Sequence, residues 1–352
     1  MVDLNKLAKR LQKNYKFSRI ASSEVDPTDY LSVGNLGLDL CLDGGIAMGG
    51  YVVELVGGSQ SCKTTIEQIL LANFQKKHKE GIGLWLDREN AWSNDRAKFL
   101  GIDLNRVIVL GPLDIPTVAV TMKVLEDVLA DFTTEPIFIG LDSVAAFDDG
   151  KDAAKANVGA NAQYFHRLFR RLTGVLNKES VFVFSNHRTF KIGVVYGSPE
   201  TSHGGEGPKF YSSYRIKLDN LKDIIDEDRG KEKVGNWIKA VVIKTRRGPS
   251  FRECVFPHFY KTGIPYLGGY DRLLSKRNWI QPNNTKEYAA FKQHSFKYKD
   301  RERLDGRKME EIVKQYPELL FDTYPEWKEC GPIEEEKPKK AKKEIINAKK
   351  TN

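Results

Sequence analysis

An α/β fold with a mostly parallel, twisted sheet covered by helices on both faces is what this sequence predicts. Three observations predict it. Short, mainly apolar runs such as Val52 to Val56 and Ile137 to Leu141 lack the polar alternation of a half-exposed strand. Between them lie segments with apolar residues at helical spacing, giving a β-α-β-α order. The stretch Tyr51 to Thr65 reads as a buried strand, a small-residue loop and the first turn of a helix.

The chain opens with Leu4, Leu7, Ala8 and Leu11 at helical spacing in a lysine-rich segment, which predicts a short amphipathic helix able to dock on a neighbouring surface. After Asp26-Pro27, a loop leads to a short helix (36–42) and a Gly-Gly turn before the strand 51–56. Ile66, Ile69, Leu70 and Phe74 then place one face of a helix, 64–79, on the sheet. Strands follow at 82–86 and 107–110, with a helix over 116–132. The run 136–141 ends in Asp142, and Phe165, Leu168, Phe169, Leu172, Val175 and Leu176 mark a helix over 161–178. The strand 181–184 ends at Ser185-Asn186-His187. From Tyr214 onward, strands at 215–218, 238–244 and 251–256 joined by charged turns predict antiparallel hairpins extending the sheet. The core is expected to end near Tyr266, with a small lobe at 267–330 and a basic disordered tail at 331–352, where residues 334–352 hold seven Lys and four Glu.

Composition narrows the function. A hydrophobic content of 40% supports a substantial core, and no run approaches the roughly 18 apolar residues that span a bilayer. The N-terminus has no apolar stretch of signal-peptide type. Cys41, Cys62, Cys254 and Cys330 form no C-x-x-C pair, which fits a reducing, cytoplasmic compartment and excludes a disulfide framework or cysteine zinc site. A net charge of +9 points to a polyanionic partner.

The chemistry gathers at strand ends. Gly57, Gly58, Ser59, Gln60, Ser61, Cys62, Lys63, Thr64 and Thr65 form a phosphate cradle: backbone N–H groups face phosphate oxygens, Lys63 reaches the terminal phosphates and Thr64 ligates Mg²⁺. Cys62 stands where the pattern G-x-x-x-x-G-K-[ST] has its second Gly. Asp142, ending a buried strand roughly eighty residues later, is placed to support the metal through water. A second acid pair, Asp87 and Glu89, offers a base to orient an attacking water, with Glu89 preferred.

These residues, together with 44–49, 142–146, 191–201, Gly204-Gly205 and 209–211, resemble a RecA-type recombinase over about 31–266. The resemblance implies a RecA-type P-loop ATPase core at 31–266, an N-terminal helix and protomer-docking segment at 1–30, and a small α/β C-terminal lobe. It implies an ATP- and Mg²⁺-dependent, DNA-stimulated ATPase that forms a helical homo-oligomeric filament on single-stranded DNA. That filament pairs with homologous double-stranded DNA and exchanges strands, in recombination, repair and recombination-dependent replication. Single-strand-binding and mediator proteins are implied partners. By the same resemblance, Lys63, Glu89 and the sensor position His187 are expected to carry hydrolysis, and Lys244 and Arg246 to complete the neighbouring protomer's site in trans. Arg96 and Tyr260 fall at nucleotide-base contacts.

Two DNA-binding loops are implied, at about 148–160 and 188–207, with Val158, Arg170, Arg188, Lys191, Ile192, Val194, Gly204 and Gly205 as contacts. Basic residues there hold phosphates without reading sequence, and apolar ones separate base steps. Cys62 and His187 depart from the bacterial pattern, and Cys62 with the sequence Asn186-His187 is similar to phage recombinases of the UvsX type. The tail from Glu334 is basic where bacterial relatives end acidic. A ring helicase or ATPase sharing the core, and a filament-forming regulator without exchange activity, are the alternative readings.

Overall fold

The computed structural model describes residues 30–132, 135–147, 158–177, 179–190, 200–227, 230–246, 248–266 and 268–269, with Lys9 and Lys13 as isolated positions. The expected N-terminal helix, most of the first DNA loop, Lys191, Ile192, Val194, the C-terminal lobe and the tail lie outside the described residues. Among the described residues, no helix is long and apolar enough to cross a membrane.

The strands are β1 (Tyr30–Leu31), β2 (Ile46–Ala47), β3 (Tyr51–Gly57), β4 (Ile82–Asp87), β5 (Val107–Leu110), β6 (Ile137–Asp142), β7 (Val181–Phe190), β8 (Glu200–Ser202), β9 (Tyr214–Asp226), β10 (Glu232–Lys244) and β11 (Arg252–Phe259). The helices are α1 (Leu36–Cys41), α2 (Lys63–Lys77), α3 (Asn94–Phe99), α4 (Val118–Asp131), α5 (Val158–Val175) and α6 (Glu206–Tyr211). The main sheet runs β11-β10-β9-β3-β7-β6-β4-β5, and β8 pairs with β7 outside that path. From β9 to β5 every pairing is parallel; β10, β11 and β8 attach antiparallel.

Side-chain alternation splits the core into two layers. On one side Val53, Leu55, Val181 and Val183 pack with Ile66, Ile69, Leu70 and Phe74 of α2. On the other, Val52, Ile139, Phe182 and Phe184 pack with α4 and α5, where the Phe169 ring lies 4.8 Å from that of Phe184. Each such buried side chain contributes roughly 1.5–3 kcal/mol. Caps fix the ends: Thr117 accepts from the Val120 N–H, and the Arg106 guanidinium donates to the carbonyl of Gln75 in the last turn of α2 and to those of His78, Lys79 and Gly81 beyond it. The Asn35 amide donates to the carbonyls of Pro265, Tyr266 and Gly268, tying the end of the core to α1.

Several expectations shift. Helix α5 begins at Val158, inside the segment expected as a DNA loop, and ends at Val175, whose side chain is exposed. Strand β7 runs on to Phe190 because β8 gives its far end an antiparallel partner. The ribbon β1–β2 and the helices α3 and α6 are too short for their periodicity to show in the sequence.

Candidate functional site

The C-terminal ends of β3, β4, β6 and β7 lie side by side, which brings Gly57, Asp87, Asp142 and His187 to one edge of the sheet. Crevices at the carboxyl ends of parallel strands are where such folds bind ligands. The turn after β3 passes so close to β9 that a Cβ on Gly57 would meet the Leu218 carbonyl at 2.3 Å. Ser61 Oγ donates to the Gly58 carbonyl at 2.8 Å and closes the loop. Ser59 and Gln60 are exposed at its tip. Cys62 caps α2 in the left-handed conformation, φ 60 and ψ 17, which explains why the pattern favours glycine there.

Lys63 is buried and its ammonium donates to the carbonyls of Gly57 (3.3 Å) and Gly58 (2.8 Å). Thr64 Oγ1 donates to Asp142 Oδ2 at 2.7 Å, and Ser185 Oγ to Asp142 Oδ1 at 2.5 Å. Burial pushes the Lys63 amine down and the Asp142 carboxyl up, each away from its charged form. A polyanion beside Lys63 and a divalent cation beside Thr64 and Asp142 would supply the missing counter-charges. The cradle therefore fits a nucleoside triphosphate with Mg²⁺, which needs few protein ligands because it keeps most of its waters. Burial, then the nearby Asp142 charge, hold the Glu67 carboxyl on α2 well above its ordinary range.

The two acids after β4 separate by environment. Asp87 is buried and consumed by structure, accepting from the N–H groups of Ala91 (3.0 Å) and Trp92 (2.8 Å). Glu89 is half exposed; it accepts a short hydrogen bond from Ser143 Oγ, and His187 Nε2 lies 3.3 Å from the same Oε1. The His187 hydrogen bond, more than any other influence, holds the Glu89 carboxyl below its ordinary range. Arg88 between them is a structural strut, donating to the carbonyls of Pro112, Ile115 and Ala146 and lying over the Phe147 ring.

On the far side of the loop, Arg96 is held in place: its guanidinium donates to the Tyr260 carbonyl (2.6 Å) and to Thr65 Oγ1 (2.9 Å). His258 Nε2 sits 3.2 Å from the same Thr65 hydroxyl and its Nδ1 3.2 Å from Asn236 Oδ1. Asn236 in turn donates to the Gln60 carbonyl at 2.8 Å, bracing the cradle. Burial, then the Arg96 charge, lower His258 to about 4, so it is neutral.

The expected DNA residues divide. Arg170 is exposed on α5. Arg188 pairs with Asp219 on β9 at 2.7 Å, and its guanidinium lies 3.8 Å from where a Gly58 Cβ would be, on the cradle side. Gly204 and Gly205 both have positive φ, and a Cβ on Gly205 would meet Ala162 of α5 at 3.0 Å, so packing alone demands glycine there. Lys244 ends β10, two strands from β3, and its ammonium donates to the carbonyls of Lys209 and Phe210; Arg246 follows it. Burial lowers the Lys244 amine, with the Arg246 and Arg215 charges adding to it.

Sequence reasoning missed Ser143, Ser185, Asn236 and His258 as parts of this site. The two serines carried a signal, one directly after Asp142 and one two positions before His187 on the same strand face. Asn236 and His258 carried none, because the pairing that brings them together is long-range.

Residues 2–265 match the family model of the RecA N-terminal domain. The chain is 35% identical over 257 residues to the protein RecA of Wolinella succinogenes, covering 71% of this chain and 70% of that one. It is 31% identical over 308 residues to the protein RecA of Nitratiruptor sp., covering 86% and 84%, and 34% identical over 257 residues to that of Helicobacter pylori, covering 71% of each. A cradle of this form on a sheet of this order, matched by relatives along most of both chains, places the protein in the RecA family.

Proposed function

We propose that the chain is a DNA-dependent ATPase that forms a helical filament on single-stranded DNA, pairs it with a homologous duplex and exchanges strands. The observation that carries the reading is the junction at Glu89. Its carboxylate is bound by Ser143 and His187 beside the Thr64–Asp142 pair, and His187 lies on the strand that runs into the expected second DNA loop. Thr64, and Asp142 through water, would hold Mg²⁺, which would neutralise charge on the phosphates. Lys63 leaves the Gly57 and Gly58 carbonyls to bind terminal phosphate oxygens. His187 Nε2 turns from Glu89 to donate to the terminal phosphate, which frees Glu89 to orient the attacking water and take its proton. Arg96 and Tyr260 border the base.

Lys244 and Arg246 reach the neighbouring protomer's phosphates, so hydrolysis depends on assembly. Mixing Lys63→Ala with Lys244→Ala protein then restores hydrolysis that neither shows alone; no restoration removes the trans role. Replacing His187 with Gln keeps nucleotide affinity and changes DNA-stimulated turnover. Cys62 and His187 support a phage-type member, which a genomic neighbourhood without phage replication genes would contradict. The deciding experiment mixes the protein with circular single strands, homologous linear duplex and ATP. ATP-dependent joint molecules are expected, and hydrolysis without joint molecules would point instead to a ring ATPase or a non-exchanging regulator.

A further inference from the structure

Glu54 stands on β3, three residues before Gly57, with no exposed surface. A carboxylate among apolar side chains is costly unless both oxygens are paired. Both are. Arg215 Nε on β9 donates to Oε2, while Asn186 Nδ2 on β7 (2.9 Å) and Ser202 Oγ on β8 (3.1 Å) donate to Oε1. Asn186 Nδ2 also donates to the His203 carbonyl at 3.0 Å. One carboxylate thus joins the strand that leads into the cradle to three other strands.

The positions of these partners give the arrangement its meaning. Side chains alternate along β7, so Phe182, Phe184 and Asn186 face the α4–α5 layer. Ser185 and His187 face the other way, toward Asp142 and Glu89. Whatever fixes Asn186 on one face fixes where its neighbour His187 stands on the other. Ser202 and His203 belong to the return of the hairpin, where Arg188 pairs with Ser202 and Phe190 with Glu200. Movement of that return strand reaches Asn186 directly, through the His203 carbonyl, and also through the shared Glu54 oxygen.

We propose that Glu54 is a positioning residue that transmits the placement of the β7–β8 hairpin to His187, and through it to Glu89, so that DNA on the hairpin regulates hydrolysis. The proposal rests on the assignment of Glu89 and His187 made above. Arg215 keeps the carboxylate in place from the opposite side, and the charges of Arg215 and Glu54 both act on the Lys244 amine, so the same hub borders the residue offered to the next protomer.

The test compares Glu54→Gln and Ser202→Ala in the full chain. Gln preserves volume but turns an NH₂ toward either Arg215 or the Asn186–Ser202 pair, and Ala removes a single hydroxyl from the return strand. Nucleotide affinity is read with a fluorescent ATP analogue, and kcat and KM are measured with and without single-stranded DNA. Glu54→Gln is expected to keep nucleotide Kd within about twofold and the DNA-free rate within about threefold, while the DNA-stimulated kcat falls about tenfold with KM unchanged. Ser202→Ala lowers the same DNA-stimulated kcat by about threefold. Equal loss of the DNA-free and DNA-stimulated rates, or an unchanged DNA-stimulated rate, overturns the proposal. If Glu54→Gln does not fold, Ser202→Ala decides. If the wild-type protein shows no DNA stimulation, the recombinase reading fails instead. Hydrogen exchange at residues 186–190 and 200–203 then judges Glu54 alone, and protection unchanged in Glu54→Gln overturns its positioning role.

Discussion

Replacing Cys62 tests the account of the cradle most directly, because its backbone and its side chain pull in opposite directions. The residue is held at φ 60 and ψ 17, a conformation that costs a non-glycine residue about 1–2 kcal/mol. Its thiol is 6% exposed, and burial pushes it upward, so it stays a neutral apolar group. Ala at this position keeps the strained Cβ and loses the packed sulfur, a cost of about 1 kcal/mol. Gly loses slightly more packing and gains about 0.4–1 kcal/mol of unfolded-state freedom, but releases the 1–2 kcal/mol of strain. Cys62→Gly is therefore expected to be at least as stable as Cys62→Ala. At an ordinary helical position Gly is about 1 kcal/mol worse than Ala, and that order here would refute the reasoning. Urea unfolding of the nucleotide-free protein measures the difference. Nucleotide affinity should be unchanged in the Gly variant, since the Lys63 contacts do not involve the thiol.

Glu89→Gln should lower single-turnover ATP hydrolysis by about 10²–10⁴ while leaving nucleotide affinity intact, and a rate within tenfold of wild type would remove Glu89 as the base. Arg88→Ala leaves three carbonyls without their donor and should destabilise the fold by about 2–4 kcal/mol in denaturant titration; a loss below 1 kcal/mol would show the strut to be dispensable. Asp39 gives a pH test: burial raises its carboxyl to about 7, against hydrogen bonds from Ser32 and Val33. The folded state then binds that proton more tightly than the unfolded one, so the contribution is full below about 4 and is lost as pH rises through about 7, at up to about 1.4 kcal/mol per unit. His258, lowered to about 4, has the opposite slope between about 4 and 6.5, so wild type alone does not isolate the effect. The stability difference between Asp39→Asn and wild type should grow in favour of Asn from pH 4 to 7 and then level off; a constant offset would contradict it.

Much of the parallel sheet was legible because β3, β4 and β6 are buried on both faces and so carry mainly apolar runs, and β5, though partly exposed, is apolar throughout. The residues 107–110 were placed to the position, and α2 to within two residues at each end. That the loop 57–65, Asp142 and Glu89 lie at strand ends was legible because each follows closely on an apolar run. What escaped was set by pairing across the chain. Ser202 and Glu54 meet only because β8 folds back on β7, and nothing local in Glu200–Ser202 marks a strand. Asp87 and Glu89 are both acids at the same strand end, and although the sequence favours Glu89, the structural use of Asp87 shows only in the hydrogen bonds it accepts from Ala91 and Trp92. Val175 was expected inward from its helical spacing, yet α5 outlasts the surface it covers, and its last turn faces solvent.

The resting bonds of Lys63 have a kinetic meaning. With its ammonium already satisfied by the Gly57 and Gly58 carbonyls, the cradle does not wait as a bare charge for any anion to fill. On the role proposed for Lys63, an arriving nucleotide exchanges hydrogen bonds instead of adding them, so the gain per contact is small. On the same proposal, the two carbonyls take the amine back once the terminal phosphate is cleaved and leaves.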